Sequence, residues 1–152
     1  LYKTKGHVPA EPYRVPIGTA VTRRAGSTAT VVATSIMVHR ALEAAEALAP
    51  EGIDAEVIDL RSLRPIDTAA IEASARRTGR LLVVHEGVRT LGIGAEIAAH
   101  VAGSEAFDFL DAPIMRLGGR DAPLPYNPVL EKAAVPQVPD IVAALRSLAA
   151  GG

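Results

Sequence analysis

The sequence predicts an α/β domain with a largely parallel sheet and helices on both faces. Three observations carry this expectation. Short aliphatic runs recur without strict alternation, ATVVAT at 29–34, AEVIDL at 55–60 and LLVV at 81–84, as strands covered on both faces require. Between them lie longer segments whose apolar residues recur at steps of three and four, the helical period. The connections are short, and strand–helix alternation of this kind yields a parallel sheet wrapped by its crossover helices. No internal repeat and no second domain interrupt the pattern.

Residues 1–19 hold Pro9, Pro12 and Pro16, two glycines, two tyrosines and two lysines with no sustained period, and read as an extended arm or linker from an upstream domain. The regular domain is expected over 20–150. Ala20–Arg24 alternates and suits an edge strand. After the strand at 29–34, Ser35 is placed to cap a helix running to about Ala49, with Val38, Ala41, Leu42, Ala45 and Leu48 on its inner face. Pro50-Glu51-Gly52 ends it. Ala55–Leu60 forms the next strand. Asp67 is a good N-cap for a helix over about 68–77, because its carboxylate can accept from the unpaired amides of the first turn. Arg76 and Arg77 favour the far end of that helix, and Gly79 permits a left-handed stop. Leu81–Val84 is the most hydrophobic strand and the expected sheet centre. Gly92–Val101 follows as a helix with Ile93, Ile97, Ala98 and Val101 inward, and Pro113–Leu117 is the last strand. A proline-rich loop spans 118–137, with one helical turn near Val129–Lys132. Pro139–Leu148 closes the chain as an amphipathic helix that buries Ile141, Val142, Leu145 and Leu148.

Composition narrows the function classes. The 152 residues are 49% hydrophobic and 22% charged, an ordinary globular balance. With three tyrosines, two phenylalanines and no tryptophan, the core must be aliphatic. A net charge of -1 supplies no field for nucleic acid or an anionic membrane. The absence of cysteine excludes disulfides, thiolate nucleophiles and cysteine metal sites, and fits a reducing compartment. No apolar run approaches the roughly 20 residues that cross a bilayer, and no secretory signal opens the chain. The expectation is a soluble intracellular protein with neither nucleic acid nor membrane among its partners.

Ligands of such sheets sit beyond the carboxyl ends of the strands, so the segment after Val84 is the first place to look for chemistry. His85-Glu86 there resembles an acid–base pair, and Gly92-Ile93-Gly94 a helix-start anion cradle of a free-standing nucleotide-binding module. Against this, neighbouring strand residues point to opposite faces and do not converge on one atom. A G-x-G without a third glycine is also a weak signal. The favoured expectation is that Glu86 accepts hydrogen bonds from loop or helix amides and fixes the turn. His7, His39 and His100 lack ligand spacing for zinc, and no serine stands in a G-x-S-x-G context. Asp108 and Asp111 flank the apolar turn DFLD before the last strand. They suit either a solvated, Asp-capped turn or an acidic docking point for a basic partner, and local physics leaves both open. The residues alone describe an α/β domain without a self-contained active site.

Five runs together resemble the beta subunit of pyruvate dehydrogenase and related 2-oxoacid dehydrogenases: VPIGTAVTRRAGSTATVVATS, LEAAEALAPEGIDAEVIDLRSLRPIDTAAIEASARRTGRLLVVHEG, LGIGAEIAAHV, FDFLDAPIMRLGG and DAPLPYNPVLEKAAVPQVPDIV. They cover almost the whole chain from Tyr13, and their order and spacing carry the resemblance. It implies a transketolase C-terminal-domain fold: three layers, α/β/α, around a five-stranded, mostly parallel sheet with one antiparallel edge strand, here Ala20–Arg24. It also implies that thiamine diphosphate and magnesium bind between the alpha subunit and the upstream domain of the beta subunit. The activating glutamate and the catalytic histidine belong to that upstream domain, so no residue of this chain is assigned as catalytic, cofactor-binding or metal-binding. The part implied for this domain is assembly. It packs against a second beta subunit across the two-fold axis of an α2β2 tetramer and docks the dihydrolipoyl acyltransferase.

The acidic residue before Ala-Pro belongs to that docking surface in the family, and here it is Asp111. An exposed carboxylate can pair with Arg or Lys of a small basic docking domain. The chain departs from its relatives at Val88-Arg89-Thr90, where aromatic residues are common, at Arg120, where a small residue is usual, and at its Gly-Gly end. PLPYNPVLEKAAVPQ favours the pyruvate type over the branched-chain type, acetoin-cleaving relatives share much of the pattern, and the run weighs against transketolase or deoxyxylulose phosphate synthase as the parent. The resemblance places such a subunit in the bacterial cytoplasm or the mitochondrial matrix.

Overall fold

A computed structural model describes residues 5–151. Residues 5–20 run without helix or strand, and the part of the arm before Lys5 lies outside the described residues. The strands are β1 (Val21–Arg24), β2 (Ala29–Ala33), β3 (Ala55–Asp59), β4 (Leu81–Val88) and β5 (Met115–Gly119), in the order β1-β3-β2-β4-β5. β1 pairs antiparallel with β3, while β2, β3, β4 and β5 run parallel. The helices are α1 (Ile36–Leu48), α2 (Thr68–Thr78), α3 (Ile93–Ala102), α4 (Pro128–Ala134) and α5 (Val138–Ala149). The mixed five-stranded sheet and its antiparallel edge follow the expectation.

The period-2 geometry of the strands divides the core in two. Ala29, Val31, Ala33, Val57, Leu82 and Val84 face α1 and α5, which contribute Met37, Ala41, Leu48, Ile141 and Leu145. Val32, Ile58, Leu81 and Val83 face the other way, toward Ile71 and Ala75 of α2 and Ile97 and Val101 of α3. β2 is buried along its whole length because helices cover both its faces. Each large aliphatic side chain buried this way contributes about 1.5–3 kcal/mol.

Local signals explain the boundaries. Asp67 caps α2 by accepting from the Ala70 amide at 3.1 Å, and its second oxygen takes the Ala20 amide at 2.9 Å, tying the start of β1 to the helix. Gly79 ends α2 at φ 66. Gln137 opens α5, its amide donating to Asp140 at 2.7 Å.

Several elements differ from the expectation. Ser35 precedes α1 but has φ 53 and makes no side-chain cap; the first turn closes instead on backbone carbonyls, Met37 to Thr34 at 3.0 Å and Val38 to Ser35 at 3.2 Å. β4 continues past Val84 to Val88, because its ladder resumes at Val88–Gly119 after a register shift. β5 begins two residues late, at Met115; Pro113 has no amide to donate to a ladder. The helical turn near Val129 is a full short helix, α4, capped by Asn127. Leu42, Ile93, Ala98 and Val142 are half-buried rather than buried, and Met37, Ala44, Gly94 and Ala144 take the innermost positions.

Candidate functional site

The carboxyl end of β4 separates the two residues that resembled an acid–base pair. His85 is 3% exposed and lies under the segment leading to α3, whereas Glu86 is exposed on the opposite face. Among the described residues no amide donates to Glu86, contrary to the expected turn-fixing role. The turn is held by other groups: Arg89 donates its amide to the Gly119 carbonyl at 2.9 Å, and Thr90 donates its amide and hydroxyl to Asp121 at 3.0 and 2.7 Å. These Thr90 bonds hold the Asp121 carboxyl below its ordinary range.

The Gly92-Ile93-Gly94 motif serves His85. A Cβ on Gly92 would lie 2.6 Å from the imidazole Cε1 and 2.1 Å from the Val88 carbonyl. One on Gly94 would lie 2.7 Å from Nε2, and one on Gly118 would lie 3.0 Å from Cε1. The ring fills the space that the missing side chains leave, so no phosphate-sized seat remains at the start of α3. Among the described residues neither ring nitrogen has a partner in hydrogen-bonding geometry, although the Gly87 backbone lies close enough to favour the charged form. Burial pushes the imidazole pKa down and Arg116 adds to the effect, while the Gly87 backbone opposes it.

Above the sheet on the α5 side, a cleft of about 580 Å³ opens at the carboxyl ends of β4 and β5. Glu86 and Val88 of β4 line it together with Arg120, Leu124, Arg40 and Lys132. Arg40 also donates to the Pro136 carbonyl at 2.5 Å, fixing the loop before α5. Tyr126, Val129 and Leu130 lie exposed on and beside α4, near this cleft in sequence.

Asp111 stands at the other end of the sheet. Its amide donates to the Gly79 carbonyl at 2.7 Å, and a Cβ on Gly79 would meet its Oδ2 at 2.4 Å. Its carboxylate is exposed, and among the described residues no cation pairs with it or with Asp108. Next to it, Arg76 lies 5.0 Å over the Phe109 ring and pairs with Glu105 at 3.1 Å. Both phenylalanines of the chain sit on this turn, Phe107 at 55% and Phe109 at 50% exposure. The sequence reading missed this aromatic component, although DFLD already displayed it.

Among the described residues, no three histidine, cysteine, aspartate or glutamate side chains gather to hold a metal ion. His7 and His39 are exposed, and His100 pairs with Glu72 of α2 at 2.7 Å, a partner that the linear sequence did not reveal. The donor set of the described residues therefore does not fit magnesium. Among the described residues, no helix is long and apolar enough to cross a membrane.

Residues 18–141 match the model of the transketolase C-terminal domain. The chain belongs to the transketolase C-terminal domain family. Curated relatives of this domain include the pyruvate dehydrogenase E1 component subunit beta-1, mitochondrial, of Arabidopsis thaliana, 53% identical over 130 residues, covering 86% of this chain and 36% of that protein. The subunit beta-2 of Oryza sativa is 51% identical over 134 residues, covering 88% of the chain and 35% of the relative. The subunit beta of Mus musculus is 47% identical over 150 residues, covering 96% and 42%. The chain thus spans well under half the length of these relatives. Among solved structures, a split-gene transketolase described as an inactive beta4 tetramer superimposes with a TM-score of 0.79 at 31% identity, covering 91% of this chain and 45% of that one. The transketolase C-terminal domain fold expected from the five sequence runs is therefore the fold of this chain.

Proposed function

We propose that this transketolase C-terminal domain is the assembly and partner-docking domain of the beta subunit of a thiamine-diphosphate-dependent 2-oxoacid dehydrogenase, of the pyruvate type. The observation that carries the reading is the 47–53% identity to pyruvate dehydrogenase beta subunits over nearly the whole domain. The parent enzyme decarboxylates the 2-oxoacid and passes the acyl group to lipoamide. Thiamine diphosphate with magnesium supplies that chemistry between the alpha subunit and the remainder of the beta subunit. The relatives' names support a mitochondrial matrix location, and a bacterial cytoplasm suits the same chemistry. The domain's own part is to pair with a second beta subunit, to support the alpha subunit, and to receive the acyltransferase docking domain at Asp111.

The surface around Asp111 supports that last role. An exposed carboxylate that no cation among the described residues pairs with, beside Asp108 and two exposed phenylalanines, suits a partner that brings Arg or Lys and an apolar contact. Replacing the matching domain of the Arabidopsis subunit with this one tests the assignment. Assembly with the alpha subunit and pyruvate-dependent acetyl transfer are expected, and a chimera that folds but stays inactive would refute it. In the active chimera, Asp111→Lys is expected to abolish most docking-domain binding in calorimetry while assembly persists. Unchanged affinity would remove Asp111 from the docking surface.

A further inference from the structure

The segment from His85 to Gly92 pairs irregularly with β5 and conceals one titratable group. Past Val84–Leu117 the ladder breaks and resumes only at Val88–Gly119. Val88 and Leu91 are exposed, and Leu91 sits at φ 58, a left-handed conformation unfavourable for leucine. Beyond that pairing, the segment is tied by the Arg89–Gly119 backbone bond, a long 3.4 Å bond from the Arg116 guanidinium to the Arg89 carbonyl, and the Thr90–Asp121 bonds, the side-chain bonds all lying at the surface. Segments built this way open locally well before the core does. Beneath it, the His85 ring is enclosed by Gly92, Gly94 and Gly118, with both nitrogens unpartnered.

We propose that His85 is an acid-sensitive latch: protonation of its enclosed imidazole releases residues 86–92 from β5 and dismantles one wall of the cleft. A neutral ring tolerates this enclosure as an apolar disc would, whereas a buried imidazolium must be paired or hydrogen-bonded. The surroundings offer no carboxylate partner, and the Gly87 backbone, the one group there that favours the charged form, meets neither ring nitrogen in bonding geometry. β5 contributes Gly118 and, farther along, the Arg116 cation. α3 presents Gly92, Gly94 and its N-terminal amides, the positive end of the helix dipole. The covering segment brings Arg89 to the edge of Gly118. The nearby carboxylates are committed elsewhere: Asp121 holds Thr90, Glu86 faces the cleft, and Glu96 lies exposed toward the pocket beside α2.

The sign follows from the depressed imidazole pKa. The segment is closed above the ordinary histidine value near 6.5 and is progressively released as pH falls below it. Glu86 and Val88 move with it, so the cleft changes shape while the sheet and both cores stay intact.

Nuclear magnetic resonance of this chain tests the latch, by following the His85 ring titration and amide-exchange protection from pH 7 to pH 5. Protection of residues 86–94, corrected for intrinsic exchange, is expected to fall about tenfold for each unit by which the ring's pKa lies below its ordinary value, while β2 and α5 keep theirs. His85→Gln, which stays neutral, is expected to abolish the acid dependence. A ring that titrates at its ordinary value over a segment still protected at pH 5 would overturn the proposal, as would an equal acid response in His85→Gln. If that variant does not fold, the wild-type midpoints decide: coincident midpoints support the latch and separate ones overturn it.

Discussion

The ion pair between Glu56 and Arg77 should show unequal losses when its two ends are removed singly. Glu56, in the middle of β3, is 3% exposed. One of its oxygens accepts from Arg77 at 2.5 Å and the other from the Thr30 hydroxyl at 2.8 Å. The Arg77 side chain is 49% exposed and also donates to the Gly26 carbonyl at 2.6 Å. Arg77→Ala strands a buried carboxylate with one hydroxyl for company. Breaking a buried pair from the wrong side costs roughly 3–5 kcal/mol, and the remaining Thr30 bond places this case at the lower end, about 3 kcal/mol. Glu56→Ala strands nothing: Arg77 turns into water, and Thr30 keeps the Thr78 hydroxyl at 2.9 Å. Its loss should be about 1 kcal/mol. For a chain of this length, the two variants should melt about 6–12 °C and about 2–4 °C below the parent. The double variant should resemble Glu56→Ala, because removing the carboxylate removes the penalty. Urea denaturation of all four proteins gives the cycle. Equal losses for the two single variants, or a double variant worse than Arg77→Ala, would refute the reasoning.

Two further substitutions probe elements that position the candidate sites. Gly94→Ala gains about 1 kcal/mol of helix propensity yet drives a Cβ to 2.7 Å from the His85 ring, so the overlap should win and lower the melting temperature. The same change made in a His85→Ala background should stabilise instead, which thermal melts of the two pairs will show. Asp67→Ala removes the cap of α2 and the bond to the Ala20 amide, and should cost about 1–2 kcal/mol in denaturant titration, with faster exchange at Ala20 and Ala70.

Much of the sheet was legible in the sequence because period survives in one dimension. β2, β3 and the first half of β4 announce themselves as short runs rich in aliphatic residues, and α1, α2 and α5 as steps of three and four. Asp67 and Gly79 lie where capping chemistry requires them. What escaped depends on residues meeting from afar. The end of β4, HEGV, has no apolar period and is strand because Gly119 pairs with Val88. Gly92 and Gly94 looked like an anion cradle because the ring that occupies them is seven to nine positions upstream, and Gly118 lies on another strand. The sequence reading gave Glu56 no role. Its burial depends on Thr30 and Arg77, 26 and 21 positions away. Asp111 was visible as an acidic residue on a turn, and its lack of a cation partner among the described residues emerged only with the ion pairs laid out in space.

The position of Asp111 against Gly79, at the amino end of β4, has a mechanical consequence. The cleft lies past the carboxyl end of the same strand. Eight residues of strand rise about 26 Å, and helices clamp the buried stretch from both sides. A load applied at Asp111 therefore runs along the covalent backbone of β4, which the cross-strand hydrogen bonds and the packed helices brace against bending as far as Val84. β4 is thus a strut that holds Asp111 and the cleft about a strand's length apart.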